Sequence, residues 1–322
     1  MMGQAKVSII IVGRNAEKTI RQCIESILTQ GFDGMEVIFV DNNSSDDSKK
    51  IASEYQITVL SEVRRGSYIA RNIGVKNASG EILVFTDSDC IAERDWISNL
   101  VTPIIEGNEV ASLGAIQSAE KSDWSAIEQK TYDELLRGIE KGGYVSQAYT
   151  GNFAVKKNVF NELGGFDEDI IWNADTDFSL RILEKGYRIR YVPEAVVRHF
   201  HRTTLTQIFR RKFQQGYWAT TVYKKNNKQP PIYGKMIKEI KRSVIFFFIS
   251  TLFMILSFIS PIRVVGYPIA LLFLIASVYE FINPKNAIYL MKNKPFKEKT
   301  YQLTYFYGWR LGIIYSFINK NR

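Results

Sequence analysis

The sequence predicts an α/β fold, a mostly parallel sheet with flanking helices, followed by a C-terminal helical hairpin and an amphipathic tail. Three observations lead there. Short β-rich runs alternate with helical spacings over the first ninety residues. Polar residues cluster where several of those runs end. Two long stretches near the C-terminus carry no charge. The chain of 322 residues is long enough for one large domain or two modest ones, and 46% hydrophobic with 23% charged residues is a globular composition.

Taken in order, Val7 to Val12 is a continuous β-branched run and reads as a buried strand; it is too short for a leader segment. Gly13-Arg14-Asn15 turns the chain. Apolar residues at 20, 23, 24, 27 and 28 have helical spacing, and Gly31 stops that helix. Met35 to Val40 is a second strand, ending in Asp41-Asn42-Asn43-Ser44-Ser45-Asp46, where Ser45 or Asp46 can cap a helix through about Tyr55. Ile57 to Leu60 is a third strand. Arg65-Gly66-Ser67 opens a helix to about Asn77 that contains Arg71 and Asn72. Polar ends of the first, second and fourth strands are expected on one edge of the sheet.

The fourth strand organises the chain. Ile82 to Phe85, after the Asn77-Ala78-Ser79-Gly80 turn, reads as buried on both faces and runs into Asp87-Ser88-Asp89. Ligands of open α/β sheets bind outside the carboxyl ends of strands. Two carboxylates one residue apart there can serve a divalent cation and a sugar hydroxyl, and hard oxygen ligands suit Mg²⁺ or Mn²⁺ on phosphates. An Asp-x-Asp is common, and the plain alternative is a solvated turn that ends the strand.

Beyond Asp89 the expected elements are a helix over 96–105, a strand over 110–116, a mostly helical stretch over 121–141, a strand over 147–155, a helix end and loop over 161–168, a helix opened by Asp175 and Asp177, and a strand over 187–192. Acids in a first helical turn are favoured by the helix dipole, which is the plain reading of Asp175 and Asp177. Leu205, Ile208, Phe209, Phe213 and Tyr217 form an apolar stripe, with Arg210, Arg211 and Gln214 on another face. That pattern fits a core helix or an interfacial one.

The net charge of +9 is concentrated: between Arg198 and Arg242 stand twelve Lys or Arg against one acid, Glu239. Nucleic acid, anionic lipid or a phosphorylated substrate would suit such a block. The uncharged runs 244–260 and 264–279 that follow favour lipid, are expected to insert as a transmembrane hairpin, and argue against nucleic acid. Lysines flank both ends, so the positive-inside rule puts the catalytic part in the cytoplasm, at the cell membrane. Two cysteines, Cys23 and Cys90, suggest neither a disulfide framework nor a zinc site. The expected division is a catalytic domain at 1–225, a basic juxtamembrane linker at 226–243, the hairpin at 244–282 and an interfacial or cytoplasmic tail at 283–322.

Val7-Ser8-Ile9-Ile10-Ile11-Val12 with Asn15, Val40-Asp41-Asn42-Asn43-Ser44-Ser45-Asp46, Ala70-Arg71-Asn72, Asp87-Ser88-Asp89, Gly164-Gly165-Phe166-Asp167 and Asp175-Thr176-Asp177 together resemble the family 2 glycosyltransferases, over about residues 5–215. The resemblance implies a GT-A fold, a UDP- or GDP-sugar donor, a Mn²⁺ or Mg²⁺ cofactor and inverting transfer. It also implies roles. Gly13, Asn15, Asp41, Arg71 and Asp87 would bind the donor, with Asp41 on its base and Asp87 on its ribose. Asp89 and His199 would hold the metal, with His201 competing for the second place. Asp175 would be the catalytic base, although the acidic residue usual before it is here Ala174. Gly151, Asn152, Trp172 and Asp177 would lie on the acceptor side, and Arg210 and Arg211 would hold the phosphate of a lipid-linked acceptor. A lipid phosphate as acceptor is the first alternative, and a non-catalytic nucleotide-binding membrane protein the second.

Overall fold

The computed structural model describes residues 6–120, 143–201, 204–226 and 263–282, with individual positions between 125 and 139, 242 and 255, and 300 and 316. The chain divides into two units, Met1–Thr204 and Leu205–Arg322.

In the first unit, strands β1 (Val7–Gly13), β2 (Met35–Asp41), β3 (Thr58–Ser61) and β4 (Ile82–Asp87) form a parallel sheet in the order β3-β2-β1-β4. Their crossovers are helices α1 (Ile20–Leu28), α2 (Ser48–Ala52) and α3 (Ser67–Asn77). Every residue of β1 is buried, which accounts for its unbroken β-branched run. Ile20, Cys23, Ile24 and Ile27 form the buried stripe of α1, as their spacing requires. The register pairs Gly13 with Asp41 and Val12 with Asp87, so the polar ends of β1, β2 and β4 do share one edge. Asp46 accepts the Ser48 backbone N–H at 3.1 Å, but the N-cap position of α2 is Asp47, without a side-chain capping bond, so neither Ser45 nor Asp46 caps the helix as expected.

Past β4 the sheet becomes mixed. The next elements are β5 (Cys90–Ala92), α4 (Trp96–Ile105), β6 (Ala111–Ser118), β7 (Tyr144–Val145), β8 (Asn152–Lys156), α5 (Lys157–Glu162), α6 (Ala174–Glu184) and β9 (Ile189–His199). β8 runs antiparallel to both β4 and β6, β9 is parallel to β6, and β5 and β7 are antiparallel to β9. The strand expected over 147–155 starts only at Asn152, because a turn closed by the Asn152 N–H on the Tyr149 carbonyl (3.1 Å) precedes it. β9 continues to His199 because a register shift at Gly114/Ala115 lets it keep pairing with β6. The helix expected over 121–141 falls mostly outside the described residues.

Two features fix α6 and β8 against β4. The first is a group of rings contributed by five elements and a loop. Phe85, Phe153, Phe160 and Phe178 are each within 6.3 Å, centroid to centroid, of another member, and Phe166 stands 5.2–5.4 Å from Tyr68, Phe85, Phe160 and Phe178. The second is Asn152, fully buried. Its Nδ2 donates to the Ala115 and Ala195 carbonyls (2.7 and 2.8 Å), and its Oδ1 accepts the Trp96 indole N–H at 2.8 Å. Asn152 thus joins α4, β6, β8 and β9. It does not stand on an acceptor surface as the sequence suggested, since its polar capacity is used within the sheet.

In the second unit, α7 (Leu205–Lys225) meets the helical positions near 304–316. Phe213 and Tyr217 lie 5.6 and 5.8 Å from the Tyr315 ring, and Thr220 Oγ1 donates to Ser316 Oγ at 2.7 Å. A Cβ at Gly312 would lie 1.9 Å from the Phe213 carbonyl oxygen, so only glycine allows this approach. The aromatic stripe of α7 is therefore occupied by the chain itself, and α7 groups with the C-terminal unit. The division falls before this helix, where the sequence suggested a point after it.

Helix α8 (Arg263–Ile282) covers the second uncharged run, whereas much of the first lies outside the described residues. Ser250 Oγ donates to the Ala270 carbonyl at 2.8 Å, and the Phe246 and Phe273 rings are 5.9 Å apart, so the two runs do meet. Among the described residues no helix is long and apolar enough to cross a membrane. A transmembrane hairpin is thus not part of the described fold; the basic stretch 227–241 and residues 283–299 lie outside it.

Replacing Asn152 with Ala removes the side-chain partner of a buried indole N–H and of two carbonyls. At about 1–3 kcal/mol for each of the three stranded groups, the expected loss is about 3 kcal/mol or more in urea unfolding. Val63→Ala, at a side chain 75% exposed, should change stability by less than about 0.5 kcal/mol.

Candidate active site

The shared edge of β1, β2 and β4 carries the site. The loops after β1 and β2 are stitched together. The Asn15 N–H donates to Ser44 Oγ (2.9 Å), the Ser45 N–H donates to Asn15 Oδ1 (2.8 Å), and the Ala16 N–H donates to Ser48 Oγ (2.7 Å). Asn15 and Asn43 adopt left-handed backbone, with φ of 54° and 59°. A Cβ at Gly13 would lie 2.7 Å from Ser88 Oγ, so the β1 end and the Asp-Ser-Asp segment touch. Asn42 clamps the segment after β3, donating to the carbonyls of Glu62 and Arg64 and accepting the Gly66 N–H.

Asp41 is buried at the end of β2. Its Oδ2 accepts the Ser44 N–H at 3.2 Å, and its Oδ1 has no hydrogen-bond partner among the described residues. A buried carboxylate oxygen without a donor suits a ligand N–H. Arg71, 3% exposed, projects from α3 and forms an ion pair with Asp87 at the end of β4. Asn72, one residue on, donates to the Phe166 carbonyl at 2.8 Å and accepts the Phe166 N–H at 3.1 Å. Adjacent residues of one helix thus hold the Asp-Ser-Asp strand end and the loop that leads to α6.

Asp175 lies in the first turn of α6, half-buried, with Oδ1 accepting the Thr176 N–H at 2.8 Å. Burial pushes its carboxyl above the usual carboxylate range, and the negative charge of Asp87 adds to the effect. The Thr176 N–H, a hydrogen bond from Tyr68 and the Arg71 cation act in the opposite direction. Asp87, Arg71, Tyr68 and Asp175 therefore converge. The sequence did not single out Tyr68; its place three residues before Arg71, one helical turn away, was the available signal.

On the other side of Asp87, Asp89 Oδ1 stands 3.4 Å from His199 Nε2, because β5 pairs Cys90 with His199. Cys90 Sγ lies in the same cluster, all of whose ligand atoms are within 4.8 Å of one another. A carboxylate oxygen with an imidazole nitrogen fits a Mn²⁺-like cation. His201 is buried, its Nδ1 3.1 Å from that of His199, whose other ring nitrogen is the one beside Asp89 Oδ1.

The remaining sequence candidates fall into different environments. Gly151 borders the site: a Cβ there would lie 3.3 Å from Asp87 Oδ2. Trp172 is half-buried in the loop just before α6. Asp177 is fully buried and accepts from Arg181 Nε and an Arg181 terminal nitrogen at 2.9 and 2.7 Å, so it is a helix ion pair and not an acceptor ligand. Arg210 is exposed and Arg211 half-buried on α7, in the second unit.

Comparison with known proteins bears on the family and the fold. The Glycosyl transferase family 2 profile matches residues 8–164, and that of Glycosyl transferase family group 2 matches residues 140–283. Glycosyltransferase AglE of Haloferax volcanii is 26% identical over 219 residues, covering 65% of this chain and 71% of its own length. A glucosyl-dolichyl phosphate glucuronosyltransferase of the same organism is 25% identical over 239 residues, covering 66% and 75%. Among solved structures, the mannosyltransferase PcManGT of Pyrobaculum calidifontis, in complex with GDP-Man and Mn²⁺, superposes with a TM-score of 0.62 at 17% identity, covering 100% of this chain and 89% of that one. The two profiles together span residues 8–283, and the chain belongs to the family 2 glycosyltransferases, enzymes that use nucleotide-sugar donors.

Proposed function

We propose that the protein is an inverting glycosyltransferase that moves a sugar from a UDP- or GDP-sugar to a hydroxyl of a lipid-linked or membrane-associated acceptor. The observation that carries this reading is the convergence of Asp175 with the Arg71–Asp87 pair at the sheet edge, beside Asp89 and His199. Asp41 Oδ1 offers a buried acceptor to the N–H of a base, and Asp87, held by Arg71, faces the ribose and sugar. Asp175 takes the proton of the attacking hydroxyl. Attack from the face opposite the leaving diphosphate inverts the anomeric carbon. Asp89 and His199 would hold a divalent cation, which when bound supplies positive charge against the diphosphate.

Transfer to a lipid phosphate is the second reading. A phosphate needs no general base, so the placement of Asp175 favours a hydroxyl. The name of one relative, a glucosyl-dolichyl phosphate glucuronosyltransferase, supports a lipid-carried acceptor. So do the exposed apolar side chains of the C-terminal unit: Ile245, Phe248, Leu252 and Ile255 on one run, Tyr267, Leu271, Ile275 and Val278 on the other. Each set recurs at three- or four-residue spacing, an apolar stripe suited to acyl chains. In this reading the catalytic unit is cytoplasmic, and Arg210 and Arg211 meet the lipid phosphate.

Three outcomes test the proposal. Asp89→Ala should abolish transfer across a panel of UDP- and GDP-sugars and remove any stabilisation by nucleoside diphosphate with Mn²⁺, with unfolding of the apo protein little changed because the carboxylate is 43% exposed. Full activity of that variant, or of wild type in EDTA, would rule out the cation.

Asp175→Asn should retain donor binding and lose transfer by about 10²–10⁴-fold. A raised carboxyl means that the folded state resists the charge, so wild-type transfer should fall as pH drops through a value above that of an ordinary Asp. By the same sign the Asn variant should be no less stable than wild type at neutral pH. Transfer at the wild-type rate would reduce Asp175 to a helix-terminal acid.

Full-length protein should sediment with membranes and resist high-salt extraction, as apolar insertion does and surface charge attraction does not. Recovery in the high-speed supernatant would overturn the membrane reading.

A further inference from the structure

We propose that Cys90 is the third protein ligand of the cation site, a sulfur beside the Asp89 oxygen and the His199 nitrogen, so that the site holds a thiophilic cation of the Zn²⁺ class in competition with Mn²⁺. This rests on the reading of Asp89 and His199 as cation ligands. One ligand atom from each of Asp89, Cys90 and His199 lies within 4.8 Å of the other two. Donor atoms bound at about 2.0–2.3 Å to one ion stand no more than about 4.6 Å apart, so the three side chains come close to the span of a single cation. The pairing of β5 with β9 accounts for the placement. Cys90 stands directly opposite His199 in an antiparallel pair, and opposed residues carry their side chains on one face. Asp89 belongs to the turn before β5; its carbonyl accepts the Phe200 N–H at 2.9 Å, and its carboxylate oxygen stands 3.4 Å from His199 Nε2. Cys90 is 2% exposed and the Asp89 side chain 43%, so the sulfur lies on the buried side of the cluster and the carboxylate on the solvent side.

A core position asks only for a small apolar side chain, and both Cys90 and Cys23 pack in the core beneath the sheet edge. Cys90 differs in having an imidazole and a carboxylate beside its sulfur. Cys23 Sγ instead donates to the Asp87 carbonyl at 3.5 Å and is not part of the cluster. Softness decides what such a set prefers. Sulfur adds little to the binding of Mn²⁺ or Mg²⁺, which take oxygen, and much to that of Zn²⁺, Co²⁺ or Cd²⁺. Burial first, and then the charges of Asp89 and Asp87, push the Cys90 thiol up, so without a soft cation it is neutral. A cation that takes the sulfur takes it as thiolate, and the thiol proton goes to solvent. No Cys-x-x-Cys spacing announces the set, because His199 arrives from another strand.

The test uses full-length protein with UDP or GDP present. Mn²⁺ binding is followed by loss of the free-ion EPR signal, and Co²⁺ or Zn²⁺ binding by the return of that signal as Mn²⁺ is displaced. The Co²⁺ protein should show near-ultraviolet thiolate-to-cobalt absorption, which Cys90→Ser loses and Cys23→Ser keeps. In Cys90→Ser the affinity for Zn²⁺ should fall roughly tenfold or more while that for Mn²⁺ is little changed. The wild-type and Cys23→Ser spectra decide even where Cys90→Ser does not fold. Co²⁺ that displaces Mn²⁺ without charge-transfer absorption, or with absorption that Cys23→Ser removes, overturns the role of Cys90. An unchanged Zn²⁺ affinity in Cys90→Ser does the same. Failure of wild type to bind Mn²⁺ at all overturns instead the reading of Asp89 and His199 as ligands, so the two failures are distinct.

Discussion

The structure depends on a charge that has to be buried. Arg71 is almost wholly removed from water, and a guanidinium remains charged at any ordinary pH. Its cost of burial is offset by Asp87, which ends a strand buried on both faces and so has a fixed position. The pair locks α3 to the β4 end. Because Asn72 follows directly, the same helix turn also holds the Gly164-Gly165-Phe166 loop. Loss of the pair would release both the strand end and the approach to α6, and the donor side and the base would no longer be held in one frame.

Much of the parallel half was legible in the sequence. Strands buried on both faces have no reason to alternate, so β1, β2 and β4 stand out as continuous apolar runs, and the first polar residue after each marks the edge where a ligand can sit. Gly13, Asp41 and Asp87 were found in this way, and the register brings them together. The antiparallel half was less legible. Gly151 and Asn152 are neighbours, but one borders Asp87 and the other is sealed between β6, β8 and β9. Their side depends on a pairing that local sequence does not encode.

Other differences have simpler causes. Asp177 stands four residues before Arg181, a spacing that announces a helix ion pair, and the dipole argument for acids at helix starts obscured it. Tyr68 was overlooked because an aromatic on a helix reads as core, and most of its side chain is core; only the hydroxyl belongs to the site. The aromatic stripe of α7 suited lipid and protein equally well by composition. Glycines at 308 and 312 decided between them, because they let two backbones touch.

The shift in β9 has a consequence for how this fold can vary. Gly114 and Ala115 are consecutive in β6, but their partners are Val192 and Val196, so Pro193, Glu194 and Ala195 are supernumerary. Side chains alternate along a strand, and an odd excess reverses which face the following residues take. His199 therefore turns toward Asp89 through the parity of that excess. The bulge should accept almost any side chain at its exposed Glu194, but not the gain or loss of a single residue, which would carry the imidazole to the opposite face. In this stretch the count of residues, more than their identity, sets where the imidazole stands.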